Sequence, residues 1–482
     1  MAITLLSRVG DIYPAYNPFM VVLTSTNKNL TGFQYLVDLY NKRTGTLIRS
    51  LKLQPNPLNQ NYGIADLGRI ISDSISGNPM TREFSYCGPN TEQYVQVDIR
   101  MGEEYTYKWN MTDNAYNVNS PYIGRVGFTG STEHQFIVGD YIQVTQNGTP
   151  TYTEYDGVHQ VVSVPDNYYV VVDYPFLGNT GAEPGVITYL DLRRNMYTGL
   201  TTSSATFFDG VVADTYHTYA WEAWFPTGTT KFLTNIDDSD YKLRMTNNGF
   251  LNIAVPPNET SIQVEILDVT NNIGTQIGST IITGQTLWWV ARCPFAPASI
   301  NSALGYSFLS SATQYKIFVL NSDEDILSEI LTIDIDSTCT PYGSWTEILF
   351  EDQLGSYIPL NMRYVTKETT NISRKSHKRN LDYAFDGSNN YIYDINSQAY
   401  KIYSIDTSKE MTMHTGWLTE TGATLVECLL KSKNVYWKDS NGYYIPCIIT
   451  DQSYSKKTKL RNAVEIDYTI TIIPQTYGDL NI

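Results

Sequence analysis

The side chains able to do chemistry in this chain are sparse and scattered. Five histidines occur, His134, His159, His217, His377 and His414, and none pairs at helical i, i+4 spacing with another strong ligand. A zinc site needs three or four converging ligands, usually seeded by a close pair, so this spacing gives no histidine-based metal centre. Within an apparent strand, His159 reads as a packed side chain. The five cysteines, Cys87, Cys293, Cys339, Cys428 and Cys447, are far apart and odd in number. They form neither a Cys-x-x-Cys pattern nor a disulfide framework, and read as small buried apolar residues of a protein made in a reducing cytoplasm. Two acidic clusters, Asp237-Asp238-Ser239-Asp240 and Asp323-Glu324-Asp325, invite a calcium reading. Both lack the alternating carboxylates, glycine and terminal glutamate that wrap a calcium ion in a loop, and read as solvated turns.

Catalytic fingerprints are equally thin. The sequence has no Gly-x-Ser-x-Gly elbow, phosphate-binding glycine loop, dinucleotide fingerprint or His-Glu-x-x-His pair. A glycosidase needs only two facing carboxylates, but nothing singles out a pair among 49 acids. Trp221, Trp224 and Phe225 have the rings of a sugar platform. Their alternating spacing places them more readily in a core. The expectation is therefore a chain that is not an enzyme, with no catalytic, cofactor-binding or metal-binding residues and no cofactor.

One run of side chains stands out for charge. Arg374-Lys375-Ser376-His377-Lys378-Arg379 is strongly basic in a chain of net charge −16. From Arg363 onward there are 15 Lys and Arg against 13 Asp and Glu, a net of +2, so residues 1–362 carry −18. The acidic part repels nucleic acid, which is bound through cationic neutralisation of phosphates. The basic run reads as a solvated loop, with a salt bridge to an acidic neighbouring subunit and a nucleic-acid contact as the sharper alternatives.

The elements that position these residues are mainly strands. Charged residues make up only 17% of the 482 residues, against about 25% in ordinary soluble proteins. Tyr is abundant at 38 residues. Tyr, Thr, Val and Ile suit strands, and Tyr brings rigid amphipathic contact area at low entropy cost. No apolar run approaches the ~18 residues of a membrane helix, and the first residues lack a basic segment followed by an apolar one, so neither membrane insertion nor a signal peptide is expected.

Five segments follow from the patterning. Residues 1–118 read as an immunoglobulin-like β domain with strands near 19–24, 33–40, 94–100 and 105–109. One helix is expected over 64–75, where Ile64, Leu67, Ile70, Ile71 and Ile75 recur at helical spacing. Residues 119–190 read as an inserted small β-barrel, and 191–247 as a return to the first domain and a linker. Residues 248–337 read as an immunoglobulin- or fibronectin-like sandwich. Residues 338–482 read as an α+β domain. There Leu425, Val426, Leu429 and Leu430 mark a helix with Thr419 or Thr421 as its cap, and Asn441-Gly442 marks a hairpin. Val464, Ile466, Tyr468, Ile470 and Ile472 alternate with polar residues as a half-buried strand.

Three stretches carry a resemblance. Asp11-Ile12-Tyr13-Pro14-Ala15-Tyr16-Asn17-Pro18 and its continuation to the 64–76 region resemble the N-terminal domain of virion proteins of tailed phages that infect Bacteroidota, crAss-like phages among them. Val138-Gly139-Asp140 with Tyr155-Asp156-Gly157-Val158-His159-Gln160-Val161 is similar to a small β-module that recurs in phage structural proteins. The stretch from Gly416-Trp417-Leu418 through Leu429-Leu430 and Val435-Tyr436 to Ile445-Pro446 resembles the closing domain of the same group. The resemblance touches both ends and the insert, and is weaker over 200–330. It implies a structural component of the virion, tail or collar associated, made in the host cytoplasm. It implies no catalytic residues. Other tail and collar proteins are the expected partners, and, since such oligomers are usually cyclic, a homo-oligomer in a symmetric ring is expected. If residues 1–362 face a DNA channel, their charge keeps nearby packaged DNA from sticking, without sequence-specific binding. A receptor- or glycan-binding tail adhesin is the alternative, followed by a polysaccharide-degrading tail enzyme.

Overall fold

The structure is a computed structural model that describes residues 3–6, 12–30, 32–75, 80, 82–106, 108–116, 121, 124–147, 153–178, 184–189, 193–196, 203–211, 230–236, 241–257, 259, 261–281, 286–337, 345–379, 383–393, 399–418, 420–451 and 466–475. The fold is mainly β, with several sheets, a closed barrel and few helices. The chain divides into two compact units. The first comprises residues 1–10, 18–74 and 96–205, and the second 11–17, 75–95 and 206–482.

In the first unit, Gln34–Asn41 pairs antiparallel with Leu47–Leu53 on one side and with the strand ending at Tyr105 on the other. Tyr35, Leu36, Val37 and Leu39 are all buried, so this strand is covered on both faces. Beside it lies a three-stranded sheet of Ile3–Leu5, Met20–Ser25 and Gly63–Asp66. This last strand corrects the helix expected from Ile64 onward, because Gly63–Asp66 is extended and the helix is only Gly68–Ser72. The Asp66 carboxylate explains the switch. It accepts from the Phe19 and Gly68 amides at 2.9 and 3.0 Å, tying the strand end to its neighbour and supplying an acceptor at the helix start.

The same unit carries the barrel. Its antiparallel order is Arg125–Gly130, Tyr169–Pro175, Gly157–Asp166, Tyr141–Gln146, Gly185–Tyr189 and Lys108–Tyr116, which closes back on the first. Closure begins upstream of the expected residue 119, because Lys108–Tyr116 pairs with both end strands and removes their open edges. Trp109, Phe128, Phe136, Ile142, Val144, Val161, Val170, Val172 and Ile187 fill the interior. A Cβ added at Gly130 falls inside the Trp109 ring, so only glycine lets that ring lie against the backbone.

The second unit is built on an 11-stranded sheet. In spatial order its strands are Tyr364–Lys378, Tyr400–Leu418, Ile466–Pro474, Tyr444–Ile449, Val435–Lys438, Thr346–Glu351, Tyr357–Met362, Phe250–Val255, Trp289–Pro294 and Gly88–Pro89, with Lys231–Phe232 beside Phe250–Val255. A five-stranded sheet, Lys242–Leu243, Leu331–Ile335, Gln314–Leu320, Ser261–Asp268 and Ile273–Ile281, shares its main core. Ser261–Asp268 buries every second residue, so Ile262, Val264 and Ile266 face that core, each stabilising it by roughly 1.5–3 kcal/mol. Phe250–Val255 and Trp289–Pro294 are buried on both faces. Leu251, Ile253, Trp289 and Cys293 face the shared core, while Ala254 and Val290 face a second cluster with Ile12, Phe208 and Trp288.

Strands on both sides of residue 337 thus enter one sheet and one core, and the 248–337 and 338–482 segments are not separate cores. Local patterning reports each strand but not which sheet recruits it. The helix Glu420–Lys431 packs Leu425, Val426, Cys428 and Leu429 onto this core. Thr419 and Val464 lie outside the described residues. The Asn441-Gly442 hairpin joins Val435–Lys438 to Tyr444–Ile449, with Gly442 at φ 88° and the Asp439 carboxylate accepting from the Asn441 and Tyr443 amides.

Candidate functional site

The basic run sits in a strand, not in the loop expected for it. Tyr364–Lys378 and Tyr400–Leu418 pair through 14 register partners as a long antiparallel hairpin. At its base, Met411 and Met413 are buried, and Met411–Leu418 also pairs with Ile466–Ile472. Beyond Met411, Tyr364–Lys378 is the sole partner of this strand among the described residues, which there form a two-stranded arm. Side chains of residues 371–379 are exposed throughout. At ~3.3 Å per residue the stretch from 400 to 410 spans about 35 Å.

The register sorts the two faces of this arm. One face carries Ile372, Arg374, Ser376 and Lys378, opposite Thr407, Ile405, Ile402 and Tyr400. The other carries Asn371, Ser373, Lys375 and His377, opposite Ser408, Asp406, Ser404 and Lys401. An irregularity between Lys375 and Ser376 accommodates Tyr403, whose ring lies 5.9 Å from that of His377. The second face is polar, with Lys375 paired to Asp406 at 3.7 Å. The first is apolar and cationic together: Ile372, Tyr400 and Ile402 are 50%, 61% and 47% exposed. Between the arm strands in sequence lies a small hairpin, Tyr383–Phe385 with Tyr391–Tyr393. Its turn is held by the Asp386 carboxylate, which accepts from the Ser388 and Asn390 amides at 2.8 Å. The backbone and side-chain hydrogen bonds from Asn390 hold that carboxyl below its ordinary range.

The barrel presents a second exposed apolar surface. Tyr141 and Val158 point outward from adjacent strands as diagonal neighbours. Ile137 and Val138 precede them in a segment that crosses the barrel end. There the His134 amide donates to the Asn167 carbonyl at 2.7 Å and the Gly139 amide to the Val161 carbonyl at 2.8 Å. Exposed Glu133 and Asp166 flank this segment, and the Tyr168 hydroxyl contacts Glu133 at 3.3 Å. Residues 126–190 contain seven Asp or Glu and no Lys or Arg.

A charge cluster with two buried carboxylates lies in the second unit. Lys433 Nζ contacts the Asp209 carboxylate, donates to the Tyr16 hydroxyl at 2.8 Å and lies 3.4 Å from Glu351. Asn434 Nδ2 donates to Glu351 at 2.6 Å. Two carboxylates here share one ammonium. Burial, then the neighbouring Asp209 carboxylate, pushes Glu351 up to about 8. Burial works against the Lys433 charge, but Glu351 and Asp209 outweigh it and hold the ammonium above its ordinary range. A lysine so firmly protonated is a poor nucleophile. The cluster acts as a clasp joining the 11–17 segment, the turn at Asp209, the Thr346–Glu351 strand and the Lys433 turn.

The other residues singled out by sequence take structural places. Ring nitrogen Nε2 of His159 lies 2.8 Å from the Tyr155 carbonyl, and its ring meets Tyr174 at 5.0 Å, a packed position. His134 is buried between Trp109 and Phe136. Asp323 and Asp325 belong to a turn whose amides donate to Asn321 Oδ1. Cys87, Cys293, Cys428 and Cys447 are free thiols, and burial raises each of them. Among the described residues no group of three or more His, Cys, Asp or Glu could hold a metal, and no helix is long and apolar enough to cross a membrane. Trp221, Trp224, Phe225, the Asp237–Asp240 cluster, His217 and Cys339 lie outside the described residues. Sequence reasoning missed the Lys433 clasp, whose members are separated by up to 417 positions; no local signal joins them.

No family model and no curated protein sequence matches the chain. Among solved structures, the full extracellular region of Plexin A4, domains 1 to 10, is similar at 8% identity and a TM-score of 0.13, covering 99% of this chain. The chain spans 47% of that protein's length. Similarity at this level carries no argument about fold or function.

Proposed function

We propose that the chain is a structural component of a bacteriophage virion, associated with the tail or collar, that works by oligomeric assembly around the tail axis and not by catalysis. The resemblance of the 11–18, 138–161 and 416–446 stretches supports the phage part of this reading. The observation that carries the assembly part is the two-stranded arm. An isolated two-stranded ribbon is marginal in water, and an unpaired edge with apolar side chains invites another chain. A protein that keeps Ile372, Tyr400 and Ile402 exposed on such a ribbon has a use for covering them. Exposed Tyr400 and Tyr403 on the arm fit the same use, since Tyr is favoured at protein interfaces.

The test is the location of the protein. Mass spectrometry of purified phage particles should find the chain at several copies per particle, and labelled antibody should mark the tail or the neck below the head. Absence from particles, with a free monomer that binds host surface glycan, overturns the reading.

A further inference from the structure

Resting on that assembly reading, we propose that the apolar, cationic face of the arm docks on the outer face of the barrel of a second copy of this chain. The two surfaces match in both properties that decide association. The arm offers Ile372, Ile402 and Tyr400 interleaved with Arg374 and Lys378. The barrel offers Ile137, Val138, Tyr141 and Val158, between 49% and 62% exposed, flanked by Glu133 and Asp166 in a stretch without a single cation. Apolar contact supplies affinity, and the opposed charges set partner and register.

The same charges select the symmetry. Two arms meeting edge to edge about a twofold axis would bring the basic runs of two copies together, and like charges across a strand pair are destabilising. Arm on barrel is instead a contact between different surfaces. Repeated from copy to copy, such a contact closes into a ring when the rotation allows and forms a filament when it does not.

Two double variants separate the surfaces: Arg374→Glu with Lys378→Glu in the arm, and Tyr141→Lys with Val158→Lys on the barrel. All four positions are exposed, and circular dichroism with thermal melts checks that both variants fold. Each variant alone should lose self-association, with affinity falling about tenfold or more. An equimolar mixture should recover a single junction, an intact arm on an intact barrel, and so stop at a one-to-one dimer. Wild-type oligomers that persist unchanged in both variants overturn the docking but leave assembly standing. A wild-type chain that stays monomeric overturns both. An arm variant that loses binding to a fluorescent single-stranded DNA probe, while oligomers persist, overturns the docking in favour of a nucleic-acid contact.

Discussion

Glu351 is a buried carboxyl whose protonation is coupled to folding. Burial and the Asp209 carboxylate raise it from an ordinary 4.5 to about 8, and burial raises the neighbouring Asp352 from 3.8 to about 6. The folded chain therefore binds more protons than the unfolded chain across this interval. Stability depends on pH with the sign of protons bound unfolded minus folded, which is negative here, so these two groups favour folding most below about pH 4 and progressively less up to about pH 8. The urea midpoint of the second unit should fall from pH 5 to pH 8, and Glu351→Gln should flatten the fall. An unchanged slope in the variant contradicts the assignment. Lys433 titrates above this window and does not contribute to it. At this scale the sequence is least legible. Asp209 and Glu351 look like any other acids until the fold brings them to one ammonium. The exposed basic run was visible as charge, but a charge run alone does not tell a loop from a strand.

At the scale of elements, legibility follows periodicity. The alternation around Ile466–Ile472 and the Asn441-Gly442 turn are local signals, and the structure has a strand and a hairpin there. The Leu425–Leu429 stripe likewise becomes a helix seated on the core. The 64–75 pattern misled because a short strand followed at once by a helix mimics one helical period, and only the pairing of Ile64 with Val22 separates the two. Barrel closure by Lys108–Tyr116 was illegible for a related reason: closure depends on a strand already used to end the preceding segment. The arm is the element with the sharpest consequence. Its basic side chains are trypsin sites on a ribbon held mainly by one strand pair, a low-stability segment by construction. Brief trypsin treatment should cut at Arg374, Lys375 or Lys378 in dilute protein, and cutting should slow as concentration drives assembly. Equal cutting at all concentrations contradicts a covered arm.

Over the whole sequence the charge is uneven: residues 1–362 carry −18, while the run 374–379 is basic. In the proposed docking, the net charge of −18 over residues 1–362 would steer a cationic arm toward another copy. Salt should then weaken self-association, because exposed charge pairs more than a Debye length apart are screened. The most direct test of the account is the mass of the purified 482-residue chain measured by sedimentation velocity across concentration, with and without arm charge reversal. The account predicts a defined oligomer with a mass that is a whole multiple of 54.5 kDa, reduced to the single chain by Arg374→Glu with Lys378→Glu. A wild-type chain that sediments as a 54.5 kDa monomer at every concentration contradicts it.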